Sequence, residues 1–154
     1  MRSTHLTRFI DAPRSDVYRA LTDAKSVAIW MVPDGMTCRV HQFEAQEGGA
    51  IRISLTYDRA DGHGKSDNHT DTYHGHFVQL VRDELVVQQI EFETDDPAMQ
   101  GEMLITFILT DAHGGTEIHA THDQLPPGLS EDDNETGWAM SLDKLTALVE
   151  ANSA

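Results

Sequence analysis

A single cysteine, Cys38, rules out an internal disulfide framework and any zinc-ribbon pattern of cysteine pairs. Basic residues are scarce too: 11 lysines and arginines stand against 26 aspartates and glutamates, a net charge of −15. Such a chain repels a phosphate backbone, which excludes nucleic acid as a partner. No apolar run approaches the ~18 residues of a membrane span, and the amino-terminus lacks a basic-then-apolar export signal. The expectation is a cytoplasmic protein without a membrane partner. Also missing are a Gly-x-Ser-x-Gly elbow, a phosphate-binding glycine loop and a dinucleotide fingerprint, so no cofactor is implied. What remains is an ordinary globular composition, 39% hydrophobic and 24% charged, unlike that of a disordered chain. At 154 residues it reads as one domain spanning 1–154, burying about 69% of its unfolded surface.

Hydrophobic periodicity supplies the elements. Thr4 to Ile10 reads as a strand, stopped at Asp11-Ala12-Pro13. Pro13 suits a first helical turn, and Val17, Ala20 and Leu21 recur behind it at helical spacing. A second short helix runs from Ala24 to about Met31 and breaks at Pro33-Asp34-Gly35. Ile51, Ile53, Leu55 and Tyr57 alternate with polar residues as in a half-buried strand. Met36 to Glu44, Thr72 to Val81, Leu85 to Thr94, Glu102 to Thr110 and Thr116 to Asp123 are further strands. Their short connections favour an antiparallel meander, because parallel pairs need long crossovers. Arg59 to Thr70 is polar and reads as a loop. Last comes a long helix, capped by Ser130, with Trp138, Leu142, Leu145 and Val149 on one face. The fold class is α+β: two short helices, about seven strands in a curved antiparallel sheet, and a terminal helix that the sheet must cover.

These pieces carry a family resemblance. The run Asp11-Ala12-Pro13, then Val17-Tyr18-Arg19-Ala20-Leu21-Thr22 and Trp30, resembles the opening of the START-like, or SRPBCC, superfamily. More narrowly it is similar to the branch related to the activator of heat-shock-protein-90 ATPase. Gly48-Gly49, Gly75, Gly115-Thr116-Glu117 and Gly137-Trp138 match in order and spacing over nearly the whole chain. Met31, where a second tryptophan is common, and the proline-free turn Val81-Arg82-Asp83-Glu84 depart from the pattern. The resemblance implies the helix-grip fold, in which a bent sheet clasps the terminal helix around a cavity. It also implies a small hydrophobic or amphipathic ligand. Because the chain begins almost at the first strand, the co-chaperone's additional domain is expected to be absent and its activity not to carry over.

The residues then offer candidate sites. Trp30, Tyr57, Phe92, Phe107 and Trp138 are aromatics able to face the interior. Tyr73 and Phe77 share a strand face with Gly75, where a missing side chain could leave a hollow. His122 falls on the apolar face of the last strand, and Asn134 and Ser141 lie near the Trp138 face. A few inward polar groups in an apolar chamber are what orient a small ligand. His69, Asp71, His74 and His76 cluster in sequence, but their spacing matches no zinc motif and a polar outer strand face explains them better.

Three functions compete. The first, preferred here, is a binding domain for a small hydrophobic molecule, with no catalytic residues and no metal. The second is a cyclase- or dehydratase-like enzyme using the same cavity, with His122 as general acid or base. The third is an exterior interaction module for a chaperone, a contact the sequence does not itself support. Sheet edges or the Met140 region offer a pairing surface for a homodimer, which nothing requires.

Overall fold

A computed structural model describes residues 2–58 and 70–153. Strand β1 (Ser3–Ile10) leads into helices α1 (Arg14–Thr22) and α2 (Ala24–Trp30). Six strands follow: β2 (Met36–Phe43), β3 (Ala50–Tyr57), β4 (Thr70–Val81), β5 (Leu85–Phe92), β6 (Met103–Ala112) and β7 (Gly115–Asp123). Helix α3 (Glu131–Ser153) closes the chain. The expected elements are thus present, with ends shifted by a residue or two. Pro13 stands at the N-cap of α1, just before its first turn, where its lack of an N–H is equally harmless. The turn at Asp95-Asp96-Pro97 tightens into a short 3-10 helix, Pro97–Met99, capped by Asp96. Of the loop expected at Arg59 to Thr70, residues 59–69 lie outside the described residues, and Thr70 already pairs in β4.

The sheet order is β1-β7-β6-β5-β4-β3-β2, antiparallel throughout. Strands β2 to β7 form a meander, and β1 joins its far edge beside β7. The chain must therefore cross the width of the sheet between β1 and β2. Helices α1 and α2 make that crossing and bury Val17, Ala20, Leu21, Val27 and Trp30.

Irregularities bend the sheet. Register shifts between Val40 and Gln42 and between Phe77 and Gln79 add local twist. Gly75 does not open a hollow as its missing side chain suggested. A Cβ there would meet the Gln89 carbonyl oxygen at 1.8 Å, so the space is filled by the backbone of β5. Bend and close approach occur together.

Helix α3 is fastened lengthwise to one edge of the sheet. The Arg2 guanidinium faces Glu131, Asn134 donates to Thr4, Arg8 pairs with Asp143, and the Asp11 amide donates to Glu150. Nine residues of extended chain span about 30 Å at ~3.3 Å each. Nineteen residues of helix span about 28 Å at ~1.5 Å each. The matched lengths let the helix track β1 from end to end. Its inner face, Trp138, Leu142, Leu145 and Val149, is buried as the periodicity requires.

Two glycines should respond oppositely to alanine. Gly75→Ala forces β5 away and should cost about 3 kcal/mol, at the upper end of overpacking losses. At Gly137, inside α3, the nearest atom to an added Cβ is Pro33 Cγ at 3.6 Å. Gly137→Ala should therefore stabilise by about 0.5–1 kcal/mol through helix propensity. Urea unfolding of both variants checks the pair; equal and small effects would contradict the backbone contact at Gly75.

Candidate functional site

Fastening α3 to the β1 edge leaves its other flank standing over the middle strands. A cavity of about 560 Å³ opens there, between α3 and the inner faces of β3, β4 and β5. Its floor carries Leu55 and Tyr57 from β3, Asp71 and Tyr73 from β4, Ile90 and Phe92 from β5, and Ile105 from β6. Period-2 alternation explains this floor, since each pair is two residues apart and shares a face. Helix α3 adds Asn134, Trp138 and Ser141 to the roof, and His122 of β7 closes one end.

The polar groups at that end satisfy one another. Trp138 Nε1–H donates to His122 Nδ1 at 3.0 Å, and Asn134 Nδ2 lies 3.2 Å from the same nitrogen. Asn134 Nδ2 also donates to Thr4 Oγ1 at 3.1 Å. An indole nitrogen only donates, so His122 Nδ1 must hold a lone pair. The neutral ring then carries its proton on Nε2, which faces Met103 Sδ at 3.1 Å. Burial holds the His122 pKa well down, to about 4, by penalising the charged imidazolium. Behind this end runs an edge-to-face series: His122 on Trp138 at 6.0 Å, Trp138 on Phe107 at 5.7 Å, Phe107 on Trp30 at 6.1 Å.

Seven of the ten residues singled out from sequence therefore border the cavity: Tyr57, Tyr73, Phe92, His122, Asn134, Trp138 and Ser141. Trp30, Phe77 and Phe107 do not. Trp30 is fully buried beneath α1, donating to the Ala20 carbonyl at 2.9 Å. Phe107 sits between the two indoles, and Phe77 packs edge-on against Phe43 at 5.2 Å. All three belong to the solid part of the core. Met140 is half-buried and borders the cavity, its sulfur accepting from the Asp34 amide at 3.4 Å.

The proposed histidine cluster is divided by the pleat. Asp71 shares the inward face with Tyr73 and is 4% exposed, whereas His74 and His76 point outward. His74 there contacts Glu91 and Glu93 at 3.2 and 3.1 Å. Arg52 binds Glu93 through two hydrogen bonds and holds its carboxyl down to about 2, with His74 assisting against a smaller effect of burial. His69 lies outside the described residues. Among the described residues no group of three or more potential ligands could hold a metal ion.

Several lining residues were not anticipated. Leu55, Ile90, Ile105 and Asp71 were accessible from strand parity once Tyr57, Phe92, Phe107 and Tyr73 had been noted. Periodicity did not point Met31, Met36, Met99 and Met140 at the cavity, because Met31 follows α2, Met36 opens β2, Met99 ends the 3-10 helix and Met140 sits on a flank of α3. Met31 accepts from the Tyr73 hydroxyl at 3.7 Å. Methionine conforms to irregular partners, so this part of the wall is adaptable.

A seven-stranded antiparallel sheet closed on a terminal helix, with the hollow between them, defines a helix-grip domain of the START-like, SRPBCC class. Within it the chain belongs to the family described as Activator of Hsp90 ATPase homolog 1-like protein, whose model matches residues 11–150. Protein CV1439 from Chromobacterium violaceum has the same fold, with a TM-score of 0.85 at 28% identity over 96% of each chain. The AHSA1-like protein from Aeromonas hydrophila superposes with a TM-score of 0.71 at 15% identity, covering 98% of this chain and 94% of that one. DynU16, from the dynemicin biosynthetic locus, gives 0.67 at 18% identity over 98% of this chain and 48% of its own. No curated protein matches. Among the described residues no helix is long and apolar enough to cross a membrane.

The buried imidazole makes stability depend on pH in a defined window. An unfolded chain protonates His122 below pH 6.5, while the folded one resists until about pH 4. The contribution is complete above 6.5 and is lost as pH falls toward 4. Wild type should lose about 2–3 kcal/mol more than His122→Gln between pH 7 and 4.5, by urea unfolding. Parallel losses would show that the ring is not held neutral.

Proposed function

We propose that the chain is a non-catalytic binding domain for a small apolar or amphipathic molecule held between α3 and the sheet. The observation that carries this reading is the composition of the cavity. Aromatic and aliphatic side chains make most of its wall, and its volume of about 560 Å³ suits a compact organic molecule. Burial of ligand carbon supplies the driving force, at about 25 cal/mol per Å² before association costs. Ser141, Asn134 and Tyr57 border the cavity and supply the polar groups that, on this reading, orient one end of the ligand.

The competing enzymatic reading is weakened by the same geometry. A general base needs a ring nitrogen within reach of substrate, and both nitrogens of His122 already face protein partners. Its depressed pKa also places proton exchange far from neutrality. Cys38 is no better placed, since burial pushes its thiol up to about 11 and away from the reactive thiolate.

A panel of lipids, aromatics and polyketide-like compounds, screened by thermal unfolding, tests the proposal. A true ligand at 100 times its Kd should add about 2.7 kcal/mol, raising Tm by about 5–10 °C. Ser141→Phe places a ring in the hollow and should abolish that rise while leaving the protein folded. Uniform failure across the panel, or an undiminished rise in Ser141→Phe, would contradict the reading.

A further inference from the structure

We propose that Ser141 is the specificity-determining contact of the cavity, and that its guest carries an uncharged oxygen group, a hydroxyl or carbonyl, on an otherwise apolar body. This rests on the binding-domain reading and names one group of the guest. Five serine and threonine side chains are buried among the described residues, and four of them are paired within the protein. The Thr4 hydroxyl accepts from Asn134, Ser54 and Thr72 bond each other at 2.8 Å, and Thr116 donates to the Ala12 carbonyl at 2.7 Å. Ser141, 4% exposed, is the exception: its hydroxyl makes no hydrogen bond to another protein group.

A helical hydroxyl has a ready partner in the carbonyl four residues earlier. Thr22, Thr136 and Thr146 each take it, at 2.8, 2.9 and 2.9 Å. Ser141 does not. Among the described residues no fully enclosed side-chain oxygen or nitrogen lacks a partner, so this hydroxyl stands open to the hollow it borders. Asn134, Trp138 and Ser141 fall at i, i+4 and i+7, one stripe of α3 along the cavity. At the start of the stripe the donors are committed, the Trp138 indole N–H to His122 and the Asn134 amide nitrogen to His122 and Thr4. Two turns on, about 10 Å along the axis from Asn134, Ser141 keeps its capacity to donate and to accept. A hydrocarbon laid over it would leave it unpaired, whereas an oxygen on the guest completes it. One hydroxyl cannot replace the hydration of an ion, so the matching group is neutral.

Two rigid probes of nearly equal shape, 2-naphthol and 2-methylnaphthalene, differ by a hydroxyl in place of a methyl. Each is titrated at pH 7 into the whole 15N-labelled chain, following the Trp138 indole N–H resonance, with that of Trp30 in the solid core as reference. Ser141→Ala should weaken 2-naphthol about fivefold, the worth of one neutral hydrogen bond, and change 2-methylnaphthalene by less than about twofold. Thr146→Ala removes a hydroxyl bonded within α3 and outside the cavity wall, and should leave the ratio of the two affinities unchanged. With no probe present, Ser141→Ala should raise Tm by about 2–4 °C, because it deletes an unpaired buried hydroxyl and alanine is the better helix former. A hydroxyl with a structural partner would lower Tm instead. The inference is overturned by a fall in Tm, by equal effects of Ser141→Ala on the two probes, or by a ratio that Thr146→Ala changes as much. In those cases binding of either probe leaves the binding-domain reading standing. If neither probe moves the Trp138 resonance, that reading falls and the inference with it.

Discussion

The hydrogen bond from the Trp138 indole to His122 Nδ1 is the constraint on which the interior depends. It joins the roof helix to the last strand across what would otherwise be a seam between apolar faces. Both partners are buried, at 9% and 5% exposure, so breaking the bond would leave two polar groups without water. The same contact sets the edge of the indole toward Phe107 and fixes the imidazole tautomer. Chemistry follows from this geometry. A ring whose lone pair is held by an indole N–H, and whose proton faces a thioether, is a structural group with little freedom to shuttle protons.

Asymmetry in the attachment of α3 explains why a hollow exists at all. Arg2, Thr4, Arg8 and Asp11 tie the helix to one edge of the sheet over nearly its whole length. Away from that edge, Lys144 and Met140 tie the helix to the segment of residues 32–34 rather than to the sheet. The middle strands carry a register shift and a close backbone approach at Gly75, and the cavity lies between them and the helix. The closed end is then filled by Trp30, Phe107 and Leu142, while the open end is lined by methionines, aromatics and a few acids.

Much of this was readable before any coordinates. Period-2 alternation put His122 on the inner face of β7, and helical spacing put Trp138, Leu142, Leu145 and Val149 on one side of α3. Pairing between them was not readable, because periodicity gives a face and not a partner. Phe77 shows the limit: it has the inward parity of Tyr73, but four residues along a bent strand it lies in solid core against Phe43. Gly75 misled for a related reason, since a missing side chain can admit a neighbouring backbone as readily as a ligand. Asp71 and His74 stand close in sequence and on opposite faces, which separated a cluster that spacing alone had suggested. The methionines at the mouth depend on how loops and helix flanks meet, a long-range outcome with no local pattern.

Nitrogen-15 spectroscopy of the His122 ring, followed from pH 7 to pH 5, addresses the central contact most directly. The account predicts a neutral ring protonated on Nε2 throughout, with Nδ1 coupled through the hydrogen bond to the Trp138 indole nitrogen. A ring protonated on Nδ1, or one that titrates near its ordinary value of 6.5, would contradict it.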